Sequence, residues 1–361
     1  MKIGVLGSGQ LGRMLALAGI PLGHTFAFYD AVLSPSTRGL GERCSGPFSD
    51  IAQLRAFAAP CDVITYEFEN VPCQAAAALA ALKPVYPPPR ALEVSQDRVV
   101  EKEFFRSLGI STPAFRAASS AEDLLLALQE LGTPCIVKTR RMGYDGKGQA
   151  RVSSREEAAR AWEELGSVPL IVEALVPFSR ELSVIAVRST DGQSRTYPLA
   201  CNIHRSGILH RSEIPAPRAP QKLIQEAHDI AAKILNELSY VGVLAVELFE
   251  AGGRLVANEM APRVHNSGHA TIDCSVTSQF ENHIRAITGM PLGSVVSRAP
   301  AVMYNVIGTV PDTQQLAALP NVTVHLYGKE PRPGRKVGHI TLLSPSAEDA
   351  GAVELLVRGA Q

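Results

Sequence analysis

Apolar runs alternate with helix-like stretches from the start of the chain. Lys2 to Leu6, Thr25 to Tyr29 and Asp62 to Glu67 are predicted strands, and Arg13 to Gly19 has the apolar spacing of a helix. Strands that alternate with helices of this length are typical of a parallel, doubly wound sheet. We therefore expect binding loops at the carboxyl ends of these strands.

A proline-rich segment, Pro84 to Pro89, interrupts this alternation. Its sequence is incompatible with a helix or a central strand, so we predict a stiff linker and a domain boundary there. A helix is expected to begin at about Ser95, with Ser95 as its N-cap. Further strands are predicted at Cys135–Lys138, Leu170–Glu173, Glu181–Val187, Gly242–Phe249, Arg254–Glu259, Ala301–Ile307 and His339–Leu343.

The length and charge of the chain limit its class. A chain of 361 residues is too long for one ordinary core, so two or three domains are expected. The formal net charge is +0, so no overall field favours a nucleic acid or a membrane, and neither is expected as a partner. Anionic substrates would have to be held by local clusters.

The cysteines and the N-terminus indicate a cytoplasmic protein. The 6 cysteines are scattered without a Cys-x-x-Cys pair, and several lie in apolar runs. This pattern is typical of buried free thiols in a reducing compartment. No stretch approaches a membrane span, and the chain starts directly in a strand without a signal peptide, so a cytoplasmic location is expected.

The densest concentration of functional groups lies at residues 258–269, directly after an apolar run. A buried strand does not need this polarity, and a solvated loop rarely combines so many different groups. The carboxylate of Glu259 at a strand end suits Mg²⁺. Arg263, His265 and Asn266 suit a small oxyanion, so this segment predicts the activation of an acid by a nucleotide.

A glycine-rich loop, Gly-Tyr-Asp-Gly-Lys-Gly at residues 143–148, predicts a phosphate site. Glycines allow the backbone to approach phosphate oxygens, and Lys147 supplies a positive charge. Lys138 lies on the strand just before, where a second ammonium could reach the phosphates. The loop is not a Gly-x-x-x-x-Gly-Lys-[Ser/Thr] motif, which argues against a P-loop kinase. An exposed hairpin without a ligand is the alternative.

Two acids lie in or next to apolar strands. Glu247 interrupts an apolar run, where an unpaired carboxylate costs several kcal/mol. If its strand is antiparallel to the strand of Glu259, both acids can face one cation, and Mg²⁺ prefers such oxygen ligands. A buried glutamate paired with an arginine is the alternative.

The strand ends at Glu173 and Glu181 fit the base and sugar of a nucleotide. Backbone groups of Ala174 and Val176 could meet an adenine edge, and Glu181 could accept a bond from a ribose hydroxyl. A solvated strand end is the alternative for each acid.

Two further motifs are weaker. Gly7, Gly9 and Gly12, with Asp30 after the next strand, imitate a dinucleotide fingerprint, which taken alone suggests an NAD enzyme. Any anion at a strand–turn–helix junction needs the same glycines, and a glycine turn that serves only packing is the alternative. The basic, proline-stiffened loop at residues 329–336 suits a phosphate group, or else is a solvated basic turn.

Taken together, these motifs resemble the ATP-grasp superfamily and, within it, the 5-(carboxyamino)imidazole ribonucleotide synthases of purine biosynthesis. The resemblance runs from Gly-Ser-Gly-Gln-Leu-Gly-Arg-Met, through Gly-Tyr-Asp-Gly-Lys-Gly-Gln and Ala-Pro-Arg-Val-His-Asn-Ser-Gly-His, to Arg-Pro-Gly-Arg-Lys-Val-Gly-His, and covers nearly the whole chain. It implies an α/β fold (α+β in part) with a parallel-sheet, biotin-carboxylase-like domain at 1–95 that does not bind NAD. A linker helix with the central lid at 96–182 and a C-terminal ATP-grasp domain at 183–361 would follow.

The resemblance also implies the site residues. It assigns ATP to Arg98, Lys138, Gly143, Tyr144, Asp145, Gly146, Lys147, Gly148, Gln149, Glu173, Ala174, Leu175, Val176, Glu181, His204, Asn258 and Glu259. It assigns Mg²⁺, with Mn²⁺ as an alternative, to Glu247 and Glu259. It assigns bicarbonate to Tyr144, Arg263, His265 and Asn266. It assigns the ribonucleotide to Asp145, Lys329, Arg335 and Lys336, covered by Gln10, Leu11, Glu67 and Asn70 of the N-terminal domain.

The implied reaction starts with the attack of bicarbonate on the γ-phosphate of ATP, which gives carboxyphosphate and ADP. Carboxyphosphate, or carbon dioxide released from it, then meets the amine of aminoimidazole ribonucleotide. Either His265 or Asp145 would assist removal of the amine proton. A homodimer is also implied.

Rival functions remain at this level. Another ATP-grasp ligase, such as a formate-using glycinamide ribonucleotide transformylase or a biotin-dependent carboxylase subunit, would carry similar motifs. An NAD oxidoreductase and a non-catalytic nucleotide sensor belong to other classes. The presence of Lys138, Glu247, Glu259 and Arg263 argues against a sensor, since a sensor need not keep both metal carboxylates.

Overall fold

The structure, a computed structural model, describes residues 1–143 and 146–359 and is built on three β-sheets. The strands are β1 (Lys2–Leu6), β2 (Thr25–Asp30), β3 (Glu42–Ser45), β4 (Val63–Tyr66), β5 (Phe115–Ala118), β6 (Cys135–Thr139), β7 (Gln149–Val152), β8 (Leu170–Ala174), β9 (Arg180–Arg188), β10 (Ser194–Thr196), β11 (Ala200–Arg205), β12 (Ile208–Ile214), β13 (Gly242–Ala251), β14 (Arg254–Ala261), β15 (Ala301–Ile307), β16 (Val322–Leu326) and β17 (Lys336–Leu343). The α-helices are α1 (Gln10–Gly19), α2 (Ile51–Ala58), α3 (Cys73–Ala80), α4 (Pro89–Ser95), α5 (Arg98–Ser107), α6 (Ala121–Leu131), α7 (Arg155–Glu164), α8 (Gln221–Glu237), α9 (Thr271–Cys274), α10 (Gln279–Thr288), α11 (Thr313–Ala317) and α12 (Ala347–Gly359).

The sheets differ in strand direction. The first sheet is parallel, in the order β3–β2–β1–β4. The second is antiparallel, in the order β5–β8–β6–β7, and packs against α6 and α7 around its own apolar core. The third is antiparallel, in the order β14–β13–β9–β11–β12–β15–β17–β16, with β10 beside β9. The predicted α/β class with a parallel N-terminal sheet is confirmed.

Both faces of the third sheet are covered by other elements. Successive side chains of a strand point to opposite faces, so the apolar residues of the central strands pack on both sides. On β9, Leu182 and Val184 pack in the cluster that contains α8, whereas Ile185 and Val187 pack in the cluster that contains α10 and residues of β1 and β2. The first and third sheets therefore share one core. This packing brings the loops that follow β1, β4 and β14 to one cavity.

The segment around the proline run differs from the prediction. Val85 forms a parallel bridge with Ile64 at the edge of the first sheet, so this part of the predicted linker belongs to the sheet. Ser95 is the last residue of α4 and not an N-cap, so that prediction was wrong. Asp97 caps α5 instead, because its carboxylate accepts a hydrogen bond from the N–H of Val99 at 3.0 Å.

The three predicted domain ranges stay a prediction, and the boundary after residue 182 would fall within β9. Among the helices of residues 1–143 and 146–359, none combines the length and the hydropathy that a membrane-spanning helix needs. The cysteines of this described part are all free thiols, as the sequence suggested.

Candidate active site

A cavity of about 1060 Å³ is lined by residues of the second and third sheets, by the start of α1 and by the segment that follows β4 of the first sheet. Its wall contains these predicted residues: Gln10, Leu11, Glu67, Asn70, Arg98, Lys138, Gly143, Gly146, Lys147, Gln149, Glu173, Ala174, Leu175, Val176, Glu181, His204, Glu247, Asn258, Glu259, Arg263, His265, Asn266, Lys329, Arg335 and Lys336. Gly148 lies beside the wall, where its carbonyl accepts a bond from the N–H of Thr139 at 2.8 Å. Tyr144 and Asp145 lie outside the described residues.

Two glutamates face each other across β13 and β14. Glu247 is the cross-strand partner of Glu259, as the antiparallel arrangement required. Burial, and then the charge of Glu259, raises the pKa of Glu247 to about 7. Burial alone would also raise the pKa of Glu259, but Arg98, whose Nη1 lies 2.5 Å from Oε2, lowers it to about 2. Glu259 is therefore an ionised carboxylate, whereas Glu247 would be stabilised in its ionised form by a further cation.

Buried lysines surround the end of the second sheet. The Nζ of Lys138 donates to Glu173 at 2.8 Å and lies 3.4 Å from Oδ1 of Asn258. Lys102, which the sequence analysis missed, lies 3.4 Å from the other oxygen of Glu173 and donates to the carbonyl of Asn258. Burial would raise the pKa of Glu173, but these ammonium groups lower it, so a carboxylate is held between two cations.

A second acid–base pair lies on the neighbouring strands. Glu181 on β9 and Nδ1 of His204 on β11 are 2.6 Å apart. Burial would lower the pKa of His204, yet the hydrogen bond to Glu181 and the charge of Glu247 raise it. The protonated form of His204, which these two acids favour, would add positive charge near the two strand glutamates.

Arg263 is held by the N-terminal part of the chain. Its Nε donates to Oε2 of Glu69 at 2.6 Å, and its Nη1 donates to the carbonyl of Val264 at 3.1 Å. Burial would raise the pKa of Glu69, but the guanidinium lowers it, so the pair is charged. Glu69 was also missed, because nothing in its local sequence indicates a partner 194 residues away.

The two residues after Val264 complete this wall. The Nε2 of His265 lies 3.4 Å from Oε1 of Glu247, and burial, followed by the charge of Arg263, lowers the pKa of His265 to about 3. In the described part of the chain, neither of the two buried amide atoms of Asn266 finds a hydrogen-bond partner. Buried polar groups are rarely left unpaired, so this amide indicates a place for a ligand.

The backbone N–H groups of Gly9 and Gly12, in the glycine fingerprint after β1, already have a hydrogen-bond partner within the chain. Both oxygens of Glu67 accept backbone N–H bonds, from Gly9 and, at 2.6 Å, from Gly12. Asp30 accepts bonds from the N–H and hydroxyl of Ser8 at 2.9 and 2.8 Å. A pyrophosphate would need the position that Glu67 occupies, so the NAD interpretation is wrong for this structure.

The basic loop lies beside this glycine turn. The Nζ of Lys329 donates to Oε1 of Gln10, and Arg335 and Lys336 line the same end of the cavity. Burial, offset in part by the charge of Glu67 and reinforced by Arg335, lowers the pKa of Lys329 to about 8. A concentration of cations at one end of the cavity suits an anionic substrate.

Comparisons with known proteins agree with this architecture. Residues 1–96 match the ribonucleotide synthetase preATP-grasp domain, residues 103–280 the ATP-grasp domain, and residues 301–352 the phosphoribosylaminoimidazole carboxylase C-terminal domain. The N5-carboxyaminoimidazole ribonucleotide synthase of Pseudomonas aeruginosa is 48% identical over 95% of this chain and 94% of its own.

Solved structures give the same result. The N5-carboxyaminoimidazole ribonucleotide synthetase from Thermus thermophilus superposes with a TM-score of 0.94 at 48% identity, covering 98% of each chain. The N5-carboxyaminoimidazole synthase of Aspergillus clavatus, in complex with ADP and 5-aminoimidazole ribonucleotide, superposes with a TM-score of 0.90 at 32% identity. That match covers 99% of this chain and 97% of the Aspergillus chain.

Proposed function

The chain belongs to the N5-carboxyaminoimidazole ribonucleotide synthase family of ATP-grasp ligases, and on this premise we propose how its own residues perform the reaction. The reaction is the ATP-dependent, ADP-forming carboxylation of 5-aminoimidazole ribonucleotide to N5-carboxyaminoimidazole ribonucleotide in purine biosynthesis. The observation that carries the assignment of roles is the row of charged groups along one cavity. Cations at Arg98 and Lys138, the paired acids at Glu247 and Glu259, and Arg263 all line it.

ATP lies between the second and third sheets in this proposal. Lys138 neutralises the phosphates, and the glycine loop at 143–149 covers them, which is the usual protein contribution to phosphoryl transfer. The strand end at 173–176 meets the adenine, and Glu181 accepts a bond from the ribose. Support comes from the position of these residues around one wall of the cavity.

Glu247 and Glu259 would hold Mg²⁺, or Mn²⁺ in its place. Two carboxylates that face each other fit an oxygen-preferring cation, and the raised pKa of Glu247, about 7, fits a group that lacks one positive partner. When bound, the cation would neutralise the charge that develops on the transferred phosphoryl group. The Arg98 contact holds Glu259 in its charged form for this role.

Bicarbonate binds against Arg263 in the proposed site, with Asn266 and His265 beside it. Glu69 accepts from Nε and the Val264 carbonyl accepts from Nη1, so the guanidinium N–H groups outside these two bonds would hold the anion and then carboxyphosphate. The unpaired amide of Asn266 gains partners in the same step. Tyr144, outside the described residues, is assigned to this pocket by family resemblance.

The ribonucleotide binds at the basic end of the cavity. Lys329, Arg335 and Lys336 hold its phosphate, and Gln10, Leu11, Glu67 and Asn70 cover it from the N-terminal side. Glu67 contributes by holding the glycine turn from which α1 and Gln10 extend. Asp145, also outside the described residues, is the remaining residue assigned to this substrate.

The deciding experiment measures ADP release with Mg²⁺-ATP and bicarbonate, with and without aminoimidazole ribonucleotide. We expect strong stimulation by the ribonucleotide and transfer of labelled bicarbonate into an acid-labile product. Formate with glycinamide ribonucleotide is the matched control, and stimulation only by that pair would overturn the proposal. A homodimer in the cytoplasm is proposed as its state, which sedimentation and cell fractionation test.

A further inference from the structure

His265 caps a helix as well as lining the cavity. It is the N-cap of the 3₁₀ helix Asn266–Gly268, and its Nδ1 accepts a hydrogen bond from the backbone N–H of Ser267 at 3.3 Å. A backbone N–H can only donate, so Nδ1 must present its lone pair to it. A neutral imidazole carries one ring proton, which therefore lies on Nε2.

A buried chain of side chains supports the same arrangement. The Ser212 hydroxyl donates to Oδ1 of Asn202 at 2.8 Å, and Nδ2 of Asn202 donates to Oγ of Ser183 at 3.0 Å. The Ser183 hydroxyl then donates to Oγ of Ser267 at 2.7 Å. Because that oxygen accepts from Ser183, the Ser267 hydroxyl proton is directed to Nδ1 of His265, 2.9 Å away.

The network is shielded from water and spans separate elements. Ser183, Ser212 and Ser267 are fully buried, and Asn202 is 5% exposed. Its members come from β9, β11, β12 and the loop after β14. Water therefore cannot replace a missing partner without a change in packing, and low local dielectric strengthens the bonds.

The backbone of His265 is clamped as well. The amide of the fully buried Gln279 accepts a bond from the N–H of His265 at 2.9 Å and donates to its carbonyl at 2.6 Å. With the peptide and Nδ1 both fixed, the ring has one free edge. That edge carries Nε2, which faces Glu247 at 3.4 Å and lines the cavity.

We propose that His265 acts in the carboxylation as a fixed Nε2–H hydrogen-bond donor to the bicarbonate-derived anion, and that Ser267 and Asn202 are positioning residues that hold this tautomer. The inference rests on the proposed function, which places that anion beside Arg263 and Asn266. An Nε2 that already carries a proton cannot accept one from the amine. The amine proton therefore goes to a group other than His265.

The tautomer can be observed directly. ¹⁵N-histidine labelling and long-range ¹H–¹⁵N correlation distinguish protonated from unprotonated ring nitrogens, and the spectrum of the His265→Gln variant identifies the signals of His265. We expect a protonated Nε2 and an unprotonated Nδ1 in the full-length enzyme. A protonated Nδ1 would overturn the inference.

Steady-state kinetics of two His265 variants distinguish a hydrogen-bond donor from a general base. Glutamine places an N–H near the position of Nε2 but cannot take up a proton, whereas leucine supplies neither function. We expect His265→Gln to keep kcat within about tenfold of the wild type. His265→Leu should lose about 10²–10³-fold, as when an oxyanion donor is removed. Equal, large losses in both variants, with the KM for ATP unchanged, would indicate a base and overturn the inference.

A double-mutant cycle tests the positioning role of Ser267. We expect Ser267→Ala to lower kcat about tenfold in the wild type, and by less than about threefold in the His265→Leu background, because contacting residues are not additive. Equal losses in both backgrounds would mean a structural role for Ser267 only. Failure of the wild-type enzyme to carboxylate would instead contradict the proposed function, whatever the tautomer.

Discussion

The glycine turn after β1 and the polar loop after β14 look alike in sequence, since each places functional groups directly after an apolar strand. In the glycine turn, the N–H groups of Gly9 and Gly12 are bonded to Glu67. In the polar loop, the amide of Asn266 has no partner among the described residues. Glu247, on the neighbouring strand β13, has a raised pKa. The first motif is satisfied by the chain, whereas the second leaves groups for ligands.

A polar motif can bind a ligand only where the folded chain leaves some of its polar groups without partners. The residue types that suit an anion are present in both loops, but only the loop after β14 has unsatisfied groups. Substitutions in the glycine turn should therefore lower stability, and substitutions in the polar loop should lower activity.

The largest effect is expected for Arg263→Ala. The change removes the guanidinium proposed to hold bicarbonate and carboxyphosphate, so carboxylation should fall about 10²–10³-fold while ATP binding is retained. Steady-state carboxylation and ATP titration measure the two quantities. Near-normal turnover would remove Arg263 from the pocket. Glu69→Gln is the matched control, since it loosens the guanidinium without removing it, and a smaller loss is expected.

Glu67→Ala should act on stability. It removes the acceptor of two backbone N–H groups, and leaving such groups unpaired should cost about 2–3 kcal/mol of unfolding free energy. Denaturant unfolding measures this, with Glu67→Gln as the variant that retains one acceptor oxygen and loses less. If Glu67→Ala unfolds like the wild type, the glycine turn is not stabilised by Glu67 and the comparison fails.

Lys329 is expected to affect the KM for the ribonucleotide. Loss of a charge-assisted bond to its phosphate in Lys329→Ala should raise this KM about 10–100-fold, with kcat less affected. An unchanged KM would remove the basic loop from the site.

The charge of Lys329 should also make binding of the ribonucleotide depend on pH. The pKa of Lys329 is lowered to about 8, so it binds as a cation below that pH and loses its charge above it. In the free enzyme, kcat/KM for the ribonucleotide should therefore decline as the pH rises through about 8. Lys329→Arg, which stays charged, should move this decline to higher pH, and an identical profile would assign the decline to another group.

The smallest effect on the fold is expected for Asn266→Ala. Because its amide atoms make no hydrogen bonds in the described structure, the unfolding free energy should change by no more than about 0.5 kcal/mol. Carboxylation should still fall by about tenfold, since the amide is proposed to bind the anion. A large loss of stability would show that the polar loop is satisfied by the chain, as the glycine turn is.

Much of the fold could be predicted because strand and helix periods are local properties of the sequence. Ala301–Ile307 was predicted with the bounds that the structure gives, and the parallel first sheet was recognised. The N-cap at Ser95 was wrong because Asp97, two residues later, offers a carboxylate that also pairs with Arg140 at 2.8 Å. The position of the N-cap therefore depends on Arg140, which lies outside the local sequence pattern around Ser95.

The sequence by itself determined most of the elements, the α/β class and the residue types gathered at strand ends. Hydrophobic periodicity and motif spacing depend only on neighbouring positions in the chain. Only the tertiary structure decided which of those groups are satisfied. Glu67 meets a glycine turn far earlier in the chain, 55 residues away at Gly12, and Lys102 reaches Asn258, 156 residues away. The network that orients His265 likewise joins three strands and a loop. Hydrogen-bond satisfaction depends on which distant groups come within reach, and packing alone decides that.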